Sequence, residues 1–194
     1  MPPKGKDPQK TRELILTTAL GLFADRGYFA TSVHDIRHAA GLSIGCLYHH
    51  FDGKEAIARA IYDDLLAQMT DVVETAAASQ PTVKDRCRAI VAALFSLAET
   101  DPLTAHFVLH ARHREFLPEA PPICSTRPFE IMRQLIVDGI DSGEIRPLDP
   151  TVASAVLFGG AIRLLHLALD GVLPQPIDTY LDEVMDAGWR GITA

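Results

Sequence analysis

The stretch Thr31–Glu55, TSVHDIRHAAGLSIGCLYHHFDGKE, decides the fold. Ser32 followed by Asp35 has capping-box spacing, each side chain satisfying a backbone N–H at a helix start. That helix is short, turns Val33, Ile36 and Ala40 inward and ends at Gly41, which has no Cβ to oppose a positive φ at the bend. Leu42 plugs the gap, and a further short helix runs from Ser43 to about Phe51. Asp52 and Glu55 form a second box that starts a long helix with Ile57, Ile61, Leu65, Met69 and Val72 at helical spacing. Two short helices joined by a glycine turn are the helix-turn-helix pattern. Its second helix projects its first residues outward, where a major groove ~12 Å wide can admit them.

Working outward, helix signals recur along the chain. Asp7-Pro8, Asp101-Pro102 and Asp149-Pro150 each precede a helical apolar pattern. Asp as N-cap accepts from free backbone N–H groups, and Pro at the first helical position loses only a donor that has no intrahelical partner. The first helix is expected from Pro8 to Arg26, with Ile15, Ala19, Leu22 and Phe23 on one face. Later helices are expected near 82–99, 102–116, 127–142, 150–170 and 176–190. No internal repeat or alternating strand pattern is present. The reading is all-α with about nine helices: a three-helix helix-turn-helix domain at 1–53 and a helical domain at 54–194, joined by helix four.

The 194 residues are 47% apolar and 22% charged, a globular composition. Eighteen Lys and Arg against 25 Asp and Glu leave a net charge of -7, a balance that repels polyanions unless the charge is segregated. It is. Residues 1–54 carry 7 basic and 5 acidic residues, or +2, which leaves 11 against 20, or -9, for the rest. Lys4, Lys6 and Lys10 form a basic arm that either tracks phosphates or simply solubilises the N-terminus. Cys46, Cys87 and Cys124 are odd in number and without a C-x-x-C pair, which reads as reduced thiols. MPPKGKDPQK has no apolar core of a secretion signal, and the greasy stretch from Val152 to Leu173 is interrupted by Arg163, His166 and Asp170. A cytoplasmic chain without membrane association is expected. G-x-S-x-G, P-loop, H-E-x-x-H and dinucleotide-binding glycine patterns are missing, so neither an enzyme nor a cofactor is expected.

The run Phe23 to Gly27, Thr31-Ser32-Val33, Asp35-Ile36, Ala39-Ala40-Gly41, Ser43, Leu47-Tyr48, His50-Phe51 and Lys54-Glu55 resembles the TetR family of bacterial transcriptional regulators. The resemblance covers about the first 55 residues; beyond them only helix count and length fit. It implies a homodimer placing two N-terminal domains in successive major grooves of a palindromic double-stranded operator, and a C-terminal domain where a small-molecule effector alters DNA affinity, most often in a repressor. By the same resemblance Tyr48 and His49 touch DNA, Lys54 meets a phosphate, and Thr31 and Ser32 lie where a helix start approaches the backbone. Ser43, Ile44, Gly45 and Cys46 form the leading edge of the recognition helix, and His34 lies within reach of a base. Arg37, Ile44 and Cys46 depart from the residues the family favours, and an apolar Ile44 reads a thymine methyl but no donor–acceptor pattern.

Helix phase and the resemblance together place effector lining at Phe95, Phe107, His110, Phe129, Met132, Phe158 and His166. The dimer face is expected on the last two helices, with Ala155, Gly159, Leu181, Val184, Met185 and Trp189. His106, His110 and His113 form one stripe on a helical wheel, open to pocket lining, a metal or plain packing; the span of ~10 Å keeps all three from a single ion on a straight helix. A regulator sensing metal or oxidant through this stripe or a cysteine, and a helical interaction module without nucleic acid, are the alternatives. No metal site is assigned.

Overall fold

The structure, a computed structural model, describes residues 7–110 and 113–193, with every side chain except that of His110. Among the described residues ten α-helices follow one another: α1 Pro8–Arg26, α2 Val33–Ala39, α3 Ile44–His50, α4 Lys54–Ala78, α5 Val83–Thr100, α6 Pro102–His110, α7 His113–Phe116, α8 Arg127–Ser142, α9 Pro150–Leu169 and α10 Leu181–Ile192. Short 3-10 turns occupy Ile123–Ser125 and Ile177–Tyr180, and no strand occurs among the described residues. The expected helix over 102–116 corresponds to α6 and α7, on either side of residues 111–112, which lie outside the described residues. The one expected over 176–190 starts as a 3-10 turn behind Pro176 and becomes α-helical only at Leu181.

All three Asp-Pro starts cap as their chemistry dictates. Asp7 accepts from the Gln9 N–H at 3.1 Å. Asp101 accepts from the Thr104 N–H at 3.1 Å. Asp149 accepts from those of Thr151 and Val152 at 2.8 and 3.2 Å, and these bonds hold its carboxyl below the usual carboxylate range.

The chain divides into two compact units, Met1–Leu65 with His106–Ala120, and Leu66–Ala105 with Pro121–Ala194. The first therefore takes more than the expected 1–53: half of α4, most of α6 and all of α7 belong to it. Its core is made by Ile15, Ala19, Ile36, Leu47, Ile57 and Leu117, all fully buried. Arg12 pairs with Asp64 at 3.3 Å and lies over the Phe51 ring, tying α1 to α4 and to the end of α3.

In the second unit α5, α8, α9 and α10 pack on one another around Ile90, Phe95, Ile136, Leu157 and Met185. α9 and α10 come together closely because Gly188 has no side chain; a Cβ there would stand 3.0 Å from the Leu157 carbonyl oxygen. Arg88–Asp182 at 2.6 Å and Lys84–Asp186 at 3.3 Å link α5 to α10 at the surface. α9 is long and apolar enough, by length and composition, to cross a membrane. It buries Ala153, Leu157, Phe158, Ala161 and Leu165 in this unit, while Val152 and Val156 stay exposed.

Candidate nucleic-acid interface

The helix-turn-helix is assembled from local caps and a few long-range anchors. Ser32 and Asp35 form the expected reciprocal box, with Ser32 N–H to Asp35 Oδ2 at 2.8 Å and Asp35 N–H to Ser32 Oγ at 3.1 Å. The Ser32 hydroxyl and N–H hold the Asp35 carboxyl below its ordinary range. Gly41 takes φ 63°, the left-handed bend that ends α2. Ser43 caps α3 by accepting from the Cys46 N–H at 3.1 Å.

Leu42 and Leu47 are buried and hold the turn and α3 against the core, which fixes what α3 shows outward. Ser43, Ile44, Gly45, Tyr48 and His49 are exposed on the opposite side, with Tyr48 at 51%; Cys46 is half-buried. His34 is exposed on α2, Ser32 at its start and Lys10 on α1. Lys4 and Lys6 lie outside the described residues.

Two residues of the expected set are turned inward. Thr31 is 1% exposed, and its hydroxyl points to the Gly27 and Leu22 carbonyls at 2.9 and 3.3 Å, so it closes the turn from α1 rather than presenting a donor outside. The Lys54 ammonium donates to the carbonyls of Tyr28 at 2.9 Å and Thr31 at 2.8 Å and sits 4.1 Å from the Tyr28 ring centroid. Two of its three N–H groups are thus spent on backbone carbonyls, and that of Tyr28 also accepts from the Thr31 N–H at 3.2 Å. Burial lowers its pKa.

Tyr28 was not among the expected site residues, and it is central to this arrangement. Besides carrying Lys54, its ring stacks on Phe116 of α7, with centroids 4.3 Å apart and planes 17° from parallel. Behind Phe116, His113 stands edge-on to Tyr62 and Phe107 at 5.0 and 4.9 Å. His113 is buried, and neither ring nitrogen has a hydrogen-bond partner. Burial lowers its pKa; the Val108 and Phe107 carbonyls lean toward the ring and oppose the shift without reaching hydrogen-bond geometry. His106 is half-buried, and no group of three His, Cys, Asp or Glu able to hold a metal occurs among the described residues.

The expected effector residues fall in both units. Phe107 and His110 belong to the first, where Phe107 is part of the aromatic cluster around His113, and the His110 side chain lies outside the description. The others belong to the second: Phe95, Met132 and Phe158 are buried, Phe129 and His166 half-buried. An open groove of about 500 Å³ runs between α4 and α5, along Val72, Thr75, Ala76, Ala89 and Ala93, none of them in the expected set. Of the dimer residues, Ala155 and Gly159 are exposed on α9 and Leu181, Val184 and Trp189 half-buried. Met185, at 2% exposure, fills the core of its own chain. Cys87 is buried too, its thiol pushed up to about 12 by burial and the nearby Glu144. Such a thiol is unreactive.

A bundle of short helices with a capped, outward-facing third helix defines a helix-turn-helix protein. Residues 15–61 match the family of bacterial regulatory proteins named tetR. The chain is 42% identical over 84 residues to the transcriptional repressor KstR2 of Rhodococcus jostii, covering 41% of this chain and 40% of that one. It is 32% identical over 119 residues to the regulator BetI of Brucella anthropi, covering 59% and 61%. Each of these matches spans less than two thirds of the relative's length. Across nearly the whole chain the fold is that of FadR from Bacillus subtilis, solved with stearoyl-CoA, at TM-score 0.78 and 23% identity over 93% of this chain and 98% of that one. Residues 15–61 thus form a domain of the tetR family of bacterial regulatory proteins.

Proposed function

We propose that this chain is a homodimeric, ligand-responsive regulator of transcription without enzymatic activity, a repressor that leaves a palindromic operator when a small molecule binds. The observation that carries the reading is the face of α3. Leu47 is fully buried, and Ser43, Ile44, Gly45, Tyr48 and His49 are all turned to solvent from a helix capped at its N-terminus. With His34, Ser32 and Lys10 these form the DNA-contacting set, extended by Lys4 and Lys6. Thr31 and Lys54 serve it by fixing the turn before α2. The dimer forms through the exposed apolar face of α9, Val152, Ala155, Val156 and Gly159, with Leu181, Val184 and Trp189 of α10 at its side. That face is what a second copy covers, so α9 needs no bilayer. The chain works in the cytoplasm, domain 1–53 reading DNA and 54–194 sensing and pairing.

The effector is a small, largely apolar molecule taken up in the second unit near Phe95, Phe129, Met132, Phe158 and His166. It binds the conformation whose recognition helices do not fit DNA and shifts the population toward it. A band shift on the DNA upstream of the protein's own gene tests the reading. Sequence-specific retention, lost with Tyr48→Ala, supports it; no retention of any fragment at about 50 mM salt, where phosphate contacts are strongest, overturns it. Stearoyl-CoA is the first effector probe, with release from the fragment as the readout.

A further inference from the structure

The segment His106–Ala120 is far from the helix-turn-helix in sequence yet belongs to the same compact unit. The chain enters this segment from the second unit at Ala105 and returns to that unit at Pro121. Together with α4, which crosses at Leu65, these are the covalent links between the two units.

Within the head the segment acts on one spot. Phe116 stacks on Tyr28 at 4.3 Å, and the Lys54 ammonium lies over the same ring at 4.1 Å. The phenol ring thus contacts both Phe116 and the Lys54 ammonium. Lys54 also donates to the Thr31 carbonyl, and Thr31 directly precedes Ser32, the cap of α2. A continuous set of contacts thus runs from α7 to the first residue of the helix-turn-helix. His113 stands behind Phe116, its centroid 5.8 Å away, buried with both ring nitrogens unpartnered among aromatic walls. A buried polar group left without a partner opposes the packed state, because solvent would satisfy it.

Resting on the reading above, we propose that Phe116 is a positioning residue for DNA recognition. Its stacking on Tyr28 holds the Lys54 clamp and so the start of α2. The unpartnered His113 keeps this docking weak enough to be released, which makes the segment the point where the head is let go.

The test uses the full chain, first without DNA. Amide exchange followed by mass spectrometry compares wild type with Phe116→Leu, which keeps apolar volume but no ring, Phe116→Tyr, which keeps the ring, and His113→Phe. Phe116→Leu is expected to speed exchange over residues 28–36 about three- to ten-fold, the size of a lost aromatic stack, with α9 and α10 unchanged. Affinity for the upstream DNA fragment falls by a similar factor, Phe116→Tyr restores both, and His113→Phe moves both the other way. Unchanged exchange over 28–36 in Phe116→Leu overturns the clamp. Faster exchange throughout α1 as well, or faster exchange at 28–36 with DNA affinity kept within about two-fold, reduces Phe116 to core packing and overturns the positioning role. If the wild type retains no DNA at all, the regulator reading falls, while the exchange result still decides the clamp.

Discussion

Lys54 was expected to meet phosphate, and the structure gives its ammonium two carbonyl oxygens within 2.9 Å and an aromatic ring below. A cation with those partners does its work in the fold. Lys54→Met is expected to lower the stability of the chain by about 1.5–3 kcal/mol, the scale of hydrogen bonds to a charged group, seen as a lower thermal midpoint. It also weakens DNA binding without changing its salt dependence, whereas loss of a true phosphate contact flattens the slope by ~0.9. Measuring log affinity against log salt for both proteins decides it: a flattened slope for Lys54→Met returns the residue to the phosphate. His113 makes a second prediction. Its folded pKa lies below the ordinary 6.5 because burial disfavours the imidazolium, so an unfolded chain takes up the proton first as pH falls. The stability its neutral form supports is complete above pH 6.5 and declines as pH drops from there toward the folded pKa. Thermal melts of wild type and His113→Phe at several pH values are expected to diverge below about pH 6.5, the wild type losing more. Parallel curves would contradict this. Neither residue's role is legible in sequence, since the carbonyls and rings that define it come from other elements, α7 among them.

At the level of elements, the local rules hold and the non-local ones decide what remains. The Ser32–Asp35 box, the Asp-Pro starts and Gly41 act through neighbours one to four positions away, so α1, α2, α3 and α9 lie where spacing places them. The membership of His106–Ala120 in the first unit depends on Phe107, His113 and Phe116 finding Tyr28 and Tyr62, and no periodicity in 102–116 carries that. Met185 has the same cause: an apolar residue on a terminal helix looks the same in sequence whether it meets its own chain or a copy. The glycines of α9 and α10 separate those two cases. Gly188→Ala puts a methyl 3.0 Å from the Leu157 carbonyl oxygen, and because backbone cannot yield, α10 must shift on α9. A loss of about 1–3 kcal/mol in chemical denaturation is expected, the range for overpacking. At Gly159 an added Cβ meets nothing within 4 Å in the single chain. Gly159→Gln is therefore expected to leave each chain folded, by circular dichroism, and to weaken the dimer, because only a second copy is close enough to clash. A Gly159→Gln protein that remains as dimeric as wild type would move the interface off this face of α9.

For the whole molecule, the net charge of -7 is the sum of +2 over residues 1–54 and -9 over residues 55–194. Like charge repels the DNA backbone, so the acidic remainder is expected to confine attraction to the N-terminal region and to keep non-specific affinity low. Pairing then decides whether the head binds at all. One head with few cationic contacts binds weakly, while two heads on one dimer make the second contact intramolecular, so the operator sees their combined affinity. Disrupting the dimer should consequently cost far more DNA affinity than disrupting a single contact. Sedimentation is expected to give about twice 21.2 kDa at micromolar concentration for wild type. For Gly159→Gln the mass should fall toward one chain, with operator affinity reduced by about 10²-fold or more and binding to non-specific DNA almost unchanged. Equal losses on operator and non-specific DNA would mean that the heads act singly, and the exposed face of α9 would then need another partner.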